Sequence, residues 1–237
     1  MPTTDEQSPS IIRIRVGETN CYLARSAAGT VLVDPGPPGS ERAIAARAAA
    51  EGVAPGEIRL ILVTHGHLDH YGAAAKVQAW CGAPIAAHPQ APALSRDRRS
   101  ALPPAQTLQG SLVRWAYLLF APLFPLRPLD AAIFLEEDAD LSAYGLAGRT
   151  ILVPGHAPGS LGILTAGGDA LVGDLLVNYV VPSQPLYLSD RAAWQQSYER
   201  LRGLGPRRVY VGHGDPFAGE ALAHIYPGRY QFRWWVR

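Results

Sequence analysis

Cysteine is nearly missing from this 237-residue sequence; Cys21 and Cys81 are the only two. That is too few for a disulfide framework, and lone cysteines in a chain of this size behave as small buried hydrophobes. Charge is sparse, at 17% of residues, and almost balanced, with a formal net charge of +1. Such a chain carries no electrostatic footprint for nucleic acid. Its longest apolar run, Trp115 to Leu126, is broken by Pro122 and Pro125 and flanked by Arg114 and Arg127. It is too short to span a bilayer. The opening MPTTDEQSPS lacks the basic and apolar regions of a signal peptide. These absences lead to the expectation of a cytoplasmic protein with no stable membrane insertion. There is no G-x-S-x-G elbow either, so a Ser-His-Asp hydrolase is set aside.

What remains is a globular composition, 48% apolar, long enough to bury a sizeable core. IIRIRVG alternates like a strand, and NCYLARS followed by TVLVDPG reads as a hairpin. Ser40 to Glu51 reads as a helix with Ser40 at its N-cap and Gly52 beyond its end. Leu60 to Val63 is a buried strand, Tyr71 to Trp80 a helix, and Pro84 to Ala87 a short strand. Regularity fades from Pro89 to Asp130. It returns with strands at Thr150 to Val153, Leu161 to Thr165 and Ala170 to Val172. Arg191 to Leu204 is helical, Arg208 to Val211 a last strand, and a short helix begins near Glu220. Strands alternate with helices in both halves, which predicts an α/β protein of two similar halves rather than two domains.

The chemistry gathers in LILVTHGHLDHYGAAA, residues 60 to 75. His65, His67, Asp69 and His70 fall within six positions, in a chain with only seven histidines. Imidazole and carboxylate are the ordinary ligands of zinc and similar divalent ions. A turn leaving a strand can aim His65 and His67 one way while Asp69 and His70 begin the next helix. A merely histidine-rich polar loop is the bland alternative. It is weakened by three further candidates, each in a glycine-flanked turn at a strand end: His156 in VPGHAPGS, Asp174 in LVGDLL and His213 in VYVGHGDP.

HxHxDH followed in order by PGHxPGS, GD and GHG resembles the metallo-β-lactamase superfamily of binuclear metallohydrolases, over most of the chain. The resemblance implies an αββα four-layer sandwich with its site on one sheet edge. It implies that His65, His67 and His156 hold one metal ion, that Asp69, His70 and His213 hold a second, and that Asp174 bridges them. Two divalent ions, zinc with manganese or iron as alternatives, would share a hydroxide about 3.5–4 Å from one ion to the other and polarise a carbonyl. Asp69 is assigned the proton shuttle, and Asp34 is expected to orient a ligating imidazole. Ser160 and Thr64, beside ligands, are read as bonding turn backbone or a ligand. His88 and His224 fall outside every motif and are read as structural or surface residues.

Branches of the superfamily separate on single features. Flavodiiron proteins carry glutamate where this chain has His67, and β-lactamases of the fold usually lack an aspartate like Asp174. Glyoxalase II-like thioesterases share the full ligand set but have a longer C-terminal extension. Lactonases share HLDH and a tyrosine after the bridging aspartate, to which Tyr179 is near but not in register. A persulfide dioxygenase with one iron is a weaker option, and nucleases of the fold need a basic surface or an extra domain.

The expected organisation is a loosely ordered tail at 1–10 and a single domain over 11–237, with an apolar insertion at about 95–130. Within it, Gln109 to Leu129 reads equally as a core helix or dimer contact and as a lid over the metals. Trp115, Tyr117, Phe120 and Phe124, with Tyr179, are the candidate substrate contacts. The expected function is metal-dependent hydrolysis of an ester, lactone or thioester of a small apolar acyl compound. Glyoxalase II-like thioester hydrolysis, β-lactam hydrolysis and a catalytically silent scaffold are the alternatives. The expected partners are a small-molecule substrate and, as an option, a second copy of the chain.

Overall fold

Alternation along the first strands decides the layering. The computed structural model describes residues 9–96, 105, 108–120, 128–226 and 228. Its strands run β1 (Ser10–Val16), β2 (Thr19–Ser26), β3 (Gly29–Val33), β4 (Ile58–Leu62), β5 (Ile85–Ala87) and β6 (Ile133–Phe134). After these come β7 (Gly148–Leu152), β8 (Leu161–Thr165), β9 (Asp169–Leu171), β10 (Val177–Asn178), β11 (Arg208–Tyr210), β12 (His213–Gly214) and β13 (Phe217–Ala218). One sheet has the order β10-β12-β2-β3-β4-β5-β6, with β1 paired to β2, and the other the order β13-β11-β9-β8-β7.

Successive side chains of a strand point to opposite faces. Tyr22, Ala24, Val31, Val33, Leu60 and Leu62 of the first sheet thus meet Ile163 and Leu171 of the second, with Leu141 and Leu146 from the turn before β7. Their neighbours Cys21, Leu23, Leu32 and Ile61 face the other way, onto Ile44 and Ala48 of α1 (Glu41–Ala50). On the far side, Ile151, Ala170 and Val209 pack on Trp194, Tyr198 and Leu201. The result is helix on sheet on sheet on helix, the αββα sandwich. Each fully buried Leu or Ile in these layers contributes about 1.5–3 kcal/mol.

Several boundaries differ from the sequence reading. Pro9 is buried and Ser10 opens β1, while residues 1–8 of the tail expected at 1–10 lie outside the described residues. Ser40 precedes α1, but its hydroxyl donates to the Pro37 carbonyl at 2.7 Å instead of capping a helix N–H. The helix expected at Tyr71 to Trp80 is two helices, α2 (Leu68–Tyr71) and α3 (Ala74–Cys81). They part at Gly72, where a Cβ would collide with Pro38 and with the Leu68 carbonyl. The fading region holds α4 (Ala91–Arg96) and α5 (Leu108–Phe120). The last helix, α6, spans Arg191–Leu204, and the segment near Glu220 is a 3-10 turn, Gly219–His224. Among the described residues no helix is long and apolar enough to cross a membrane.

α5 is not the core helix allowed for above, since Leu108, Leu112, Trp115 and Leu119 are exposed. The side chains of Tyr117 and Phe120, and all of Phe124, lie outside the described residues.

Candidate metal centre

Five strand ends meet at one edge of the sandwich. Asp34 follows β3, and His65 and His67 lie in the turn after β4. Asp69 and His70 sit on α2. His156 lies in the turn between β7 and β8, and Asp174 in a single 3-10 turn after β9. His213 forms β12. All seven donors read from the sequence are brought together here. His65, His67 and His156 form one triad, His65, His70 and Asp174 a second, and Asp69, His70 and His213 a third. Within each, the donor atoms lie within 4.8 Å of one another.

Two close approaches need glycine. Gly155, at φ +127°, lies so near the Trp194 backbone that a Cβ would collide with it. A Cβ on Gly212 would strike Asp174 Oδ1 and crowd His70. These glycines let the turns carrying His156 and His213 close onto a shared centre.

The hydrogen bonds on the outer side of four of the five rings assign their tautomers. The Thr64 hydroxyl donates to Asp34 Oδ2 at 2.8 Å, so at 2.9 Å it accepts from His65 Nδ1. His156 Nδ1 donates to the Tyr187 carbonyl, His70 Nδ1 to Asp34 Oδ2 and His213 Nδ1 to the Glu18 carbonyl, at 2.8–2.9 Å. In their neutral forms all four rings therefore present an Nε2 lone pair inward. His67 turns Nδ1 inward, 3.0 Å from Nε2 of both His65 and His156. It can donate to only one of them, which leaves lone pairs facing each other without a proton between them.

The carboxylates complete the set. Asp174 Oδ2 lies 3.4 Å from His156 Nε2, 3.3 Å from His213 Nε2 and 4.0 Å from His65 Nε2, and Oδ1 lies 3.4 Å from His70 Nε2. Asp69 Oδ2 is 3.3 Å from His213 Nε2 and 3.6 Å from His70 Nε2. His70 Nε2 and Asp174 Oδ1 are buried with no hydrogen-bond partner. Unpaired buried polar atoms are costly, and a cation between them would satisfy both. The donor set fits divalent metal.

Electrostatics divides the cluster. Burial, with the neighbouring imidazoles His70 and His67, holds His65 well below the usual histidine range. Burial, with His156 beside it, lowers His67 to about 3. Around His70 burial also opposes charge, but Asp174, Asp69 and Asp34 outweigh it and hold its pKa well above normal. His213 is raised in the same way, against burial, by Asp174 and Asp69. Burial raises Asp174, yet His213 and His70 prevail and keep it well below the carboxylate range. One half offers neutral imidazoles; the other attracts positive charge.

Asp34, buried at the end of β3 with φ +53°, accepts from Thr64 N, Thr64 Oγ1 and His70 Nδ1. A left-handed aspartate is strained, and these three bonds hold it there. Tyr179 stacks on His213, with ring centroids 6.2 Å apart. Trp115 stands on the exposed face of α5, whereas the helix meets this region through the Gly110 carbonyl, which accepts the Tyr187 hydroxyl. Ser160 bonds the Ala157 carbonyl. His88 lies under the His156 turn against Gly159, and His224 is exposed. The carbonyls of Glu18 and Tyr187, and Thr19 Oγ1 at 3.5 Å from Asp69 Oδ2, were not found from the sequence. Any residue supplies a carbonyl, so only the fold could reveal the first two.

A four-layer sandwich with a histidine–aspartate donor cluster on its edge defines a metallohydrolase. The sequence profile of the metallo-beta-lactamase superfamily matches residues 14–213, and the chain belongs to that superfamily. It is similar to the probable metallo-hydrolase YflN of Bacillus subtilis, 26% identical over 80% of this chain and 77% of that protein. It is 34% identical to the hydroxyacylglutathione hydrolase of Anaeromyxobacter dehalogenans, over 69% of this chain but only 49% of that enzyme. Among solved structures, the di-iron-bound form of TTHA1623 is 26% identical with a TM-score of 0.65, covering 92% of this chain and 98% of its own. BLEG-1 B3 metallo-beta-lactamase superposes with a TM-score of 0.68 over the same shares at 22% identity, which speaks to the fold.

Proposed function

We propose that this chain is a binuclear hydrolase of an ester, lactone or thioester of a small apolar acyl compound. His65, His67 and His156 would hold one ion and Asp69, His70 and His213 the other, with Asp174 between. Zinc suits the nitrogen-rich first set, and manganese or iron are the alternatives. The observation that carries the reading is Asp174, whose two oxygens face imidazoles of both sets at 3.3–4.0 Å. When bound, such ions supply a water-derived nucleophile at neutral pH and Lewis acidity toward a carbonyl oxygen.

The chain's own residues do the rest. Asp69 is partly exposed beside the buried Asp174, and its carboxylate is the base open to an entering substrate. It would take the proton from the attacking water and return it to the leaving alkoxide or thiolate. Tyr179, stacked on His213 and partly exposed, lines the entrance. The thioester class draws support from the similarity to a hydroxyacylglutathione hydrolase. The apolar acyl preference draws support from the exposed valines that follow Tyr179.

A panel of lactones, thioesters and phosphodiesters on metal-replete protein tests this, followed by an acyl-length series. Each added methylene is worth up to ~0.8 kcal/mol on burial, so kcat/KM should rise several-fold per carbon and then level off. Turnover of phosphodiesters alone, or a flat profile over acyl length, would contradict the assignment.

A further inference from the structure

The turn that carries His213 is gripped from two sides. On the inner side Gly212 N donates to the Gly173 carbonyl at 2.8 Å, next to Asp174, and a Cβ on Gly212 would strike Asp174 Oδ1. On the outer side stands the hairpin of β1 and β2. Thr19 pairs with His213 across the sheet, and the Glu18 carbonyl accepts from His213 Nδ1 at 2.9 Å. Successive side chains of a strand point to opposite faces. Thr19 Oγ1 accordingly reaches toward Asp69, while the Asn20 side chain turns to the backbone of residues 211–214.

Asn20 is 1% exposed, an uncommon place for a carboxamide, and its bonds account for it. Its backbone N–H donates to the Gly212 carbonyl at 2.8 Å. The two protons of Nδ2 go to the Val211 carbonyl at 2.9 Å and the Gly214 carbonyl at 2.6 Å. One nitrogen therefore binds the chain on both sides of His213 and fixes the span between them. Two neighbours add to this hold. The Tyr22 hydroxyl donates to the Val211 carbonyl at 2.6 Å, and Arg13 Nη1 to the Gly214 carbonyl at 3.2 Å. The outer partners of the first triad lie elsewhere, Thr64 beside His65 and the Tyr187 carbonyl beside His156.

We propose that Asn20 is a positioning residue for the second ion, the one assigned to Asp69, His70 and His213, and that it acts through the backbone of the turn carrying His213. The inference rests on the two-ion reading above. Among side chains of this length only asparagine sets two donors on one nitrogen. Leucine has a similar shape without the donors, and aspartate turns acceptors against two carbonyls. Without those donors the turn keeps its inner contacts and its pairing with Thr19 but can open. His213 Nε2 then shifts relative to Asp174 and His70, and the second donor set loses its geometry while the first keeps its own.

Stepwise chelator competition on the zinc-loaded full chain reads the two affinities separately and tests the proposal. Asn20→Leu should weaken the second zinc about 10–100-fold and leave the first within about twofold, and Asn20→Asp should weaken the second further. Tyr22→Phe removes a bond to one of the same carbonyls while Asn20 still holds both. It should lower the thermal midpoint of the metal-free protein and leave both affinities near the parent's. A role in folding alone would make Asn20→Leu behave like Tyr22→Phe. Where Asn20→Leu does not fold, Arg13→Met decides, since that side chain is partly exposed and its loss removes a donor from the Gly214 carbonyl. It should weaken the second zinc alone, to a lesser degree. In either variant, equal weakening of both ions, or a second ion held as in the parent, would overturn the proposal. A parent that takes up a single ion would overturn the two-ion reading, and the proposal with it.

Discussion

Four of the five inward-facing ring nitrogens of the cluster are set by a bond on the far side of the ring, and Thr64 is the most economical example. Its single hydroxyl donates to Asp34 and accepts from His65, linking Asp34's hold on His70 to the first triad. Thr64→Val keeps the shape and removes both bonds. Metal affinity, read by chelator competition, should fall about 10–100-fold, with Thr64→Ser restoring most of it. A valine variant that holds metal like the parent would show the hydroxyl to be incidental. Asp174→Ala should lower metal content and turnover together, because it removes the carboxylate facing both sets. His224→Ala, exposed and remote in the sequence pattern, should leave both near the parent values. Equal effects from these two would contradict the donor assignment. The donors were legible because histidine is rare in the chain and the donors fall in repeated glycine-flanked turns. Their outer partners were legible only where a side chain does the work, as at Asp34.

Elements carry the donors through their ends, and the ends are held by specific contacts. The Gly155 carbonyl accepts from Ser189 N and Asp190 N, docking the start of α6 on the His156 turn. Gly155→Ala has no room beside Trp194 and no comfortable φ, so it should cost at least ~1–3 kcal/mol by urea denaturation and weaken metal binding as well. Asp190 caps α6 through Ala193 N at 3.0 Å. Asp190→Ala should cost about 1 kcal/mol while leaving metal content intact, which separates helix stability from site geometry. A loss of metal in that variant would mean the cap also sets His156. The bounds of α6 could be read residue for residue, since Asp190 starts it and Gly205 ends it at φ +59°. The break at Gly72 could not, because the groups that surround it, Pro38 and the Gly36 backbone that bonds His70 O and Ala73 N, are distant in sequence. α5 falls largely within Gln109 to Leu129, which reads as a core helix, a dimer contact or a lid; its apolar stripe has the helical period, and that period does not say which way the stripe faces.

At the scale of the molecule, two sheets bring the ends of β3, β4, β7, β9 and β11 to one edge, and every donor follows one of those strands. The unbroken apolar run at the end of β4, which reads as a buried strand, fits a sheet covered on both faces. Which strands meet across the sandwich was not written in local pattern; the order β13-β11-β9-β8-β7 joins strands from well-separated stretches. The central claim is that this edge holds two ions rather than one, because the donors fall into two sets that share Asp174. Elemental analysis of protein purified without chelator and then supplied with zinc or manganese tests it most directly. The account predicts about two divalent ions per chain. A stoichiometry that stays at or below one would contradict it.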